Sequence, residues 1–227
     1  MIILAVHSSS PRLGIAVVRD GEILVEEILP SGREHLENIA LAVQRVVAQS
    51  DLRLNGLDGL GVVVGPGSFS GIRVGMSFVK GVALALKKPV AGISSLEILA
   101  RQALIDGECG AAVIDARRGQ VYVSVYRRLN EQLIALDEPR LILADEFPVY
   151  AQEFSRPLLL CGEPVIESLD GSCTVGARVV TFPSPGVCAQ IAWERFKKGS
   201  AESLHSLSPL YIRRSDAEEK RLTPSRA

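Results

Sequence analysis

A surplus of charge is the first thing this chain lacks. Its 25 Lys and Arg against 26 Asp and Glu leave a formal net charge of -1, so no global field gathers nucleic acid. The basic pairs Arg117/Arg118, Arg127/Arg128 and Arg213/Arg214 are then read as solvated surface. Histidine is scarce: His7, His35 and His205 are scattered, and three isolated imidazoles do not make a site. Cys109, Cys161, Cys173 and Cys188 contain no C-x-x-C pair and lie near no histidine pair, which argues against a zinc knuckle and against a disulfide framework. Reduced, buried thiols are the expectation. No apolar run reaches the roughly 18 residues that span a bilayer, because Lys80 interrupts the best candidate, Val74 to Leu86. Met1 to Val6 carries no basic n-region and only about six apolar residues before polar His7 to Ser10, so it reads as a strand rather than a signal peptide. Together these absences predict a cytoplasmic protein with no membrane segment.

What is present is ordinary core material. The chain has 227 residues, 47% of them hydrophobic, and a mean hydropathy of +0.23, enough for one large core or two modest ones. Three apolar runs open it, Ile2 to Val6, Leu13 to Val18 and Ile23 to Ile28; Asp20-Gly21 between the last two is a hairpin signal. Ser31 and Glu34 form a capping-box pair ahead of Leu36, Ile39, Ala40, Val43, Val46 and Val47, which recur at helical spacing. A strand (Leu60 to Val64), a glycine-rich turn, a helix to about Leu86, a strand (Val90 to Ile93) and a helix opened by Ser94/Glu97 follow. From Gly110 the order restarts with strands at Ala111 to Ile114, Val121 to Tyr126 and Gln132 to Leu136. A helix near Asp145 to Phe154, strands at Leu158 to Cys161 and near Val179 to Thr181, a loop over Ser172 to Gly176, and a helix from Val187 to Lys198 complete it. A strand meander followed by alternating helix and strand, written twice, predicts an α/β fold of two ribonuclease-H-like lobes across a cleft, with lobes at 1–106 and 107–227. The tail from about 215 is too polar to pack and is expected to be mobile.

The densest local signal is Gly65-Pro66-Gly67-Ser68-Phe69-Ser70-Gly71-Ile72-Arg73-Val74-Gly75. A helix N-terminus after a glycine turn can hold an anion, but no G-K-[ST] follows and the G-x-S-x-G elbow is not satisfied. The better reading is that Ser70 caps the helix, and that Gly67, Gly71 and Gly75, four residues apart, let another helix approach closely. Arg73, Ser77, Lys80 and Lys87 fall on one narrow polar stripe of that helix. His35 would need a second histidine at position 39 to bind metal from one helix face, and position 39 is Ile39; no metal is assigned. His7 stands at the end of the first strand, where actin-like phosphotransferases place an aspartate. Asp115, ending the first strand of the second copy, has no visible acid–base partner and is read as bonding its own turn and Arg117/Arg118.

The stretch Gly65 to Gly75 resembles the signature of the bacterial TsaB family, formerly YeaZ, with Ser70 where the family has threonine. Arg33-Glu34-His35, Val90 to Leu96, Asp115 to Tyr122 and Pro209 to Arg213 are similar to family segments in family order. His7 departs from the family's D-T-S. The resemblance implies an actin-like (ASKHA) fold without a complete active site and without a cofactor. It also implies a partner role beside a TsaD-like catalytic subunit and a TsaE-like ATPase, which together place threonylcarbamoyl on adenosine next to the anticodon of tRNA. A homodimer is expected in isolation. The two helices Arg33 to Gln49 and Ser70 to Leu86 would form the interface, through Glu34, His35, Ile39, Val43, Gly67, Gly71, Arg73, Val74, Gly75 and Phe78. An ATP-binding phosphotransferase and a glycoprotease-like metallopeptidase are the alternatives.

Overall fold

The computed structural model describes residues 1–29, 38–169, 174–180 and 182–213. The Ser31/Glu34 capping pair, Arg33, His35, Cys173 and the tail from 214 lie outside them. β1 (Ile2–His7), β2 (Leu13–Arg19) and β3 (Glu22–Leu29) form a meander, joined at Asp20-Gly21 where both residues have positive φ (52° and 88°), the geometry of a tight hairpin. α1 (Ile39–Gln49), β4 (Gly59–Gly65), α2 (Phe69–Leu86), β5 (Val90–Ser94) and α3 (Ser95–Ala103) follow. The first sheet has the order β3-β2-β1-β4-β5, with β1, β4 and β5 parallel. β1 and β4 are buried almost throughout because both faces of a parallel centre are covered, whereas β3 at the edge is largely exposed.

β6 (Cys109–Arg117), β7 (Gln120–Leu129), β8 (Gln132–Ala135), β9 (Arg140–Leu143), α4 (Phe147–Ala151), β10 (Leu158–Gly162), β11 (Thr174–Val179) and α5 (Pro185–Lys197) make the second half. Its sheet runs β11-β10-β6-β7-β8, with β9 paired to β7. Read from β8, this repeats the connectivity of the first sheet, so the duplicated, actin-like architecture is present.

The sheets divide between β5 and β6, but the helices do not respect that division. α3, which follows the last strand of the first sheet, buries Leu96, Leu99, Ala100 and Ala103 with Ala112, Ile114 and Leu159 of the second. α5 buries Cys188, Ala189, Ile191 and Ala192 with Ile3, Ala5, Val63 and Ile93 of the first. Each lobe therefore completes its core with a helix that lies in sequence beside the other lobe.

Several details differ from the sequence expectation. The segment read as loop, Ser172 to Gly176, is a strand from Thr174; Gly176 (φ 144°) sits where the β10–β11 register shifts, and a bulge glycine looks like loop in a sequence. The helix at 145–154 shrinks to a 3-10 turn and the five residues of α4. β9 was not anticipated. α2, 18 residues with mean hydropathy 1.4, meets the length and composition of a spanning helix despite Lys80. Its inner face, Ile72, Met76, Val79 and Ala83, is packed in the first lobe's core, as for a core helix.

Candidate functional site

The glycine-rich segment leads from β4 into α2 and meets the turn after β1. Ser68, not Ser70, caps the helix: its Oγ accepts from the Gly71 amide at 3.3 Å, and the helix starts at Phe69, so its cap lies two residues earlier than expected. The Ser68 amide donates to Ser9 O at 2.6 Å, and Ser8 Oγ donates to Gly71 O at 2.8 Å. A Cβ on Gly67 would lie 2.2 Å from Ser9 O, one on Gly71 2.0 Å from Ser8 O, and one on Gly75 2.1 Å from Ser8 Oγ. No real Cβ approaches that closely. The four-residue glycine spacing thus lets α2 sit on the chain's own β1–β2 turn, and the expectation that it admits a foreign helix is corrected.

Burial sorts the expected interface residues the same way. Ile39 and Val43 belong to the core cluster, Gly71 and Gly75 are buried, and none of the four can meet a partner. Arg73 is exposed, and Val74 and Phe78 are half-buried. Glu34 and His35 lie outside the described residues. Gly67 and Phe69 are half-buried, Ser68 and Ser70 exposed, and Gly65 and Pro66 buried, with Pro66 O accepting from Ser95 Oγ. The outward side of α2 carries Val74, Ser77, Phe78, Gly81 and Leu84; Leu84 is 70% exposed, and a Cβ on Gly81 would meet nothing within 4 Å. α1 adds Leu41, 62% exposed. A single exposed leucine is normal on a protein surface; beside Leu84 the exposed members of this row, Ser77 and Gly81, are small. The polar stripe has an internal use: Arg73 Nε donates to Tyr211 Oη at 2.7 Å, and Lys80 Nζ donates to Leu207 O at 2.6 Å.

Between the lobes lies a cleft of about 550 Å³, walled by Ser9, Ser68, Phe69, Asp115, Glu163 and Tyr211 among others. Asp115 accepts from the Arg117 amide at 2.7 Å and pairs with Arg117 Nη1 at 3.0 Å, the turn role expected of it. Its own amide donates to Glu163 Oε2 at 3.1 Å. Glu163 escaped the sequence reading although it directly follows β10; burial, aided by the Asp115 charge, pushes its carboxyl up against the opposing Asp115 amide.

His7 is fully buried. Its Nε2 meets Ser9 Oγ at 2.8 Å, its ring lies edge-on to Phe182 at 4.5 Å, and Nδ1 has no partner. Burial pushes its pKa down to about 3, so the group is a neutral imidazole at neutral pH. Metal-bound phosphate at the end of β1 needs a carboxylate, and a neutral buried imidazole tied to Ser9 does not fit that role. Among the described residues no three of His, Cys, Asp and Glu stand together as metal ligands. Cys161 and Cys188 are buried thiols and Cys109 is half-buried.

The family model described as TsaD, tRNA N6-adenosine threonylcarbamoyltransferase, matches residues 25–155. The chain is 30% identical over 227 residues, 97% of each chain, to the tRNA threonylcarbamoyladenosine biosynthesis protein TsaB of Bacillus subtilis strain 168. It is 28% identical over 229 residues, 97% of this chain and 98% of the other, to TsaB of Escherichia coli K12. A crystal structure from Pseudomonas aeruginosa, described as similar to the peptidase YEAZ, superposes with a TM-score of 0.82 at 22% identity, over 93% of this chain and 99% of that one. At that identity the superposition speaks for the fold alone.

Proposed function

The chain belongs to the TsaB family of tRNA threonylcarbamoyladenosine biosynthesis proteins, and on that premise we propose that it is a non-catalytic subunit whose outer α2 face docks a TsaD-like catalytic protein. The observation that carries this reading is the row Val74, Ser77, Phe78, Gly81 and Leu84 on an amphipathic helix whose other side is sealed in the core. Small residues at Ser77 and Gly81 allow close approach of an opposing helix, the role first expected of Gly67, Gly71 and Gly75. In the free chain the same face would serve a homodimer; a TsaE-like ATPase and tRNA would join through the complex, in the cytoplasm. The phosphotransferase alternative is disfavoured by His7, and the metallopeptidase by Ile39 where a second ligand would stand.

The test is assembly and modification. Wild type mixed with the TsaD-like protein should co-elute and restore threonylcarbamoyladenosine formation in a reconstituted reaction; Gly81→Arg and Leu84→Glu, which touch no core atom, should abolish both without lowering Tm. Unimpaired assembly by both variants would refute the docking face.

A further inference from the structure

Residues 198–213, which follow α5, have almost no regular structure, yet they are tied to both lobes. On the first lobe, the Glu202 amide donates to Val90 O at 3.0 Å, the Leu210 amide donates to Val64 O at 2.8 Å, and Lys80 of α2 holds Leu207 O. Tyr211 then stacks on Phe69 with centroids 4.8 Å apart. Arg73 caps this pair, its guanidinium 3.8 Å from the Phe69 centroid while Nε donates to Tyr211 Oη. One residue later the chain has crossed: Ile212 packs against the second lobe's cluster, and Arg213 donates to Ala116 O at 2.7 Å and to Gln120 Oε1. Tyr211, Ile212 and Arg213 wall the cleft, Ser208 and Pro209 wall a second cavity of about 420 Å³, and Leu210 borders both.

We propose that residues 202–213 form a strap that couples the outer face of α2 to the interlobe cleft: a protein seated over Arg73 tightens the Arg73–Tyr211 bond and holds the two lobes at one separation. The proposal rests on the docking face argued above. The physical reason is solvent competition. Arg73 is exposed and Tyr211 is 41% exposed in the free chain, so water competes for their hydrogen bond. Covering the pair removes that competitor and lowers the local dielectric, which strengthens the hydrogen bond and the stacking of the cation on Phe69. Because coupling between two sites is reciprocal, the factor by which the seated protein stabilises the strap is also the factor by which the strap raises that protein's affinity.

Hydrogen-exchange mass spectrometry on peptides covering 203–213 tests both halves. Tyr211→Phe keeps the ring stack and removes only the acceptor. In the free chain it should speed exchange at the Leu207 and Leu210 amides about tenfold while leaving β1 and β4 amides unchanged; equal strap exchange in the two proteins overturns the strap. In the complex with the TsaD-like protein, the wild-type strap should exchange about tenfold more slowly than in the free chain diluted until it is monomeric, where no second copy covers the α2 face. Tyr211→Phe should lose that slowing and bind the partner correspondingly more weakly. Slowing that survives the substitution, or a complex that forms without slowing, overturns the coupling. If no complex forms, the docking face fails and the coupling with it, and the free-chain comparison still decides whether the strap exists.

Discussion

Alanine at Gly71 and alanine at Gly81 should change stability in opposite directions, although both glycines lie on the same helix. A methyl on Gly71 would stand 2.0 Å from Ser8 O, a backbone atom of the β1–β2 turn that cannot swing aside. Either α2 lifts or the turn moves, at an overpacking cost of about 1–3 kcal/mol. Moving them apart also strains the bond from Ser8 Oγ to Gly71 O, worth about 1 kcal/mol. Against this, alanine gains about 0.5–1 kcal/mol of helix-forming free energy over glycine. The balance is a net loss of about 2 kcal/mol, or about 4–8 °C in Tm for a chain of this size. At Gly81 no atom lies within 4 Å of the new methyl, so only the propensity gain remains and Tm should rise by about 1–4 °C. Thermal unfolding followed by circular dichroism reads both. If Gly71→Ala stabilised the protein as Gly81→Ala does, the glycine stripe would not be serving the chain's own packing.

At the α2 face, Leu84→Glu and Gly81→Arg should leave Tm within about 1 °C of wild type, as surface changes do, while gel filtration with the TsaD-like protein shows separate peaks. His7 is held neutral, with its pKa near 3 against an unfolded 6.5, so its contribution is intact above pH 6.5 and is lost as pH falls below that value. Between pH 7 and pH 5 this is about 2 kcal/mol, and denaturant titrations at both pH values should show His7→Gln lacking that part of the acid sensitivity; an identical pH slope in both proteins would contradict the burial of this imidazole. Burial pushes the Cys161 thiol up to about 12 and the Cys188 thiol up as well, so in a Cys173→Ser background a disulfide reagent should label Cys109 first and reach the other two only on unfolding.

The glycine signature shows both the strength and the limit of reading a chain by its residues. Its position between a buried strand and a helix was legible, and so was its family. Its partner was not, because a spacing of four residues states only that one helix face is small and not what fills the space beside it. Ser8 and Ser9, some sixty positions away, fill it. The polar stripe was likewise visible as a stripe, while its tie to Leu207 and Tyr211 depends on a C-terminal segment without periodicity. Glu163 had no motif around it, since its surroundings are assembled from Asp115 and Arg117 of another strand.

Local patterning settled what local physics governs. Alternating and continuous apolar runs placed nine of the eleven strands to within a few residues, Asp-Gly specified the first hairpin, and the restart at Gly110 announced a second lobe. Tertiary packing decided the rest. Only the folded chain determines that α3 and α5 are exchanged between the lobes, that Ile39 and Val43 face inward while Leu41 and Leu84 face out, and that the last described residues bridge the cleft. Burial is a property of what surrounds a side chain, and for these residues the surroundings come from segments too distant in sequence for any local rule to name.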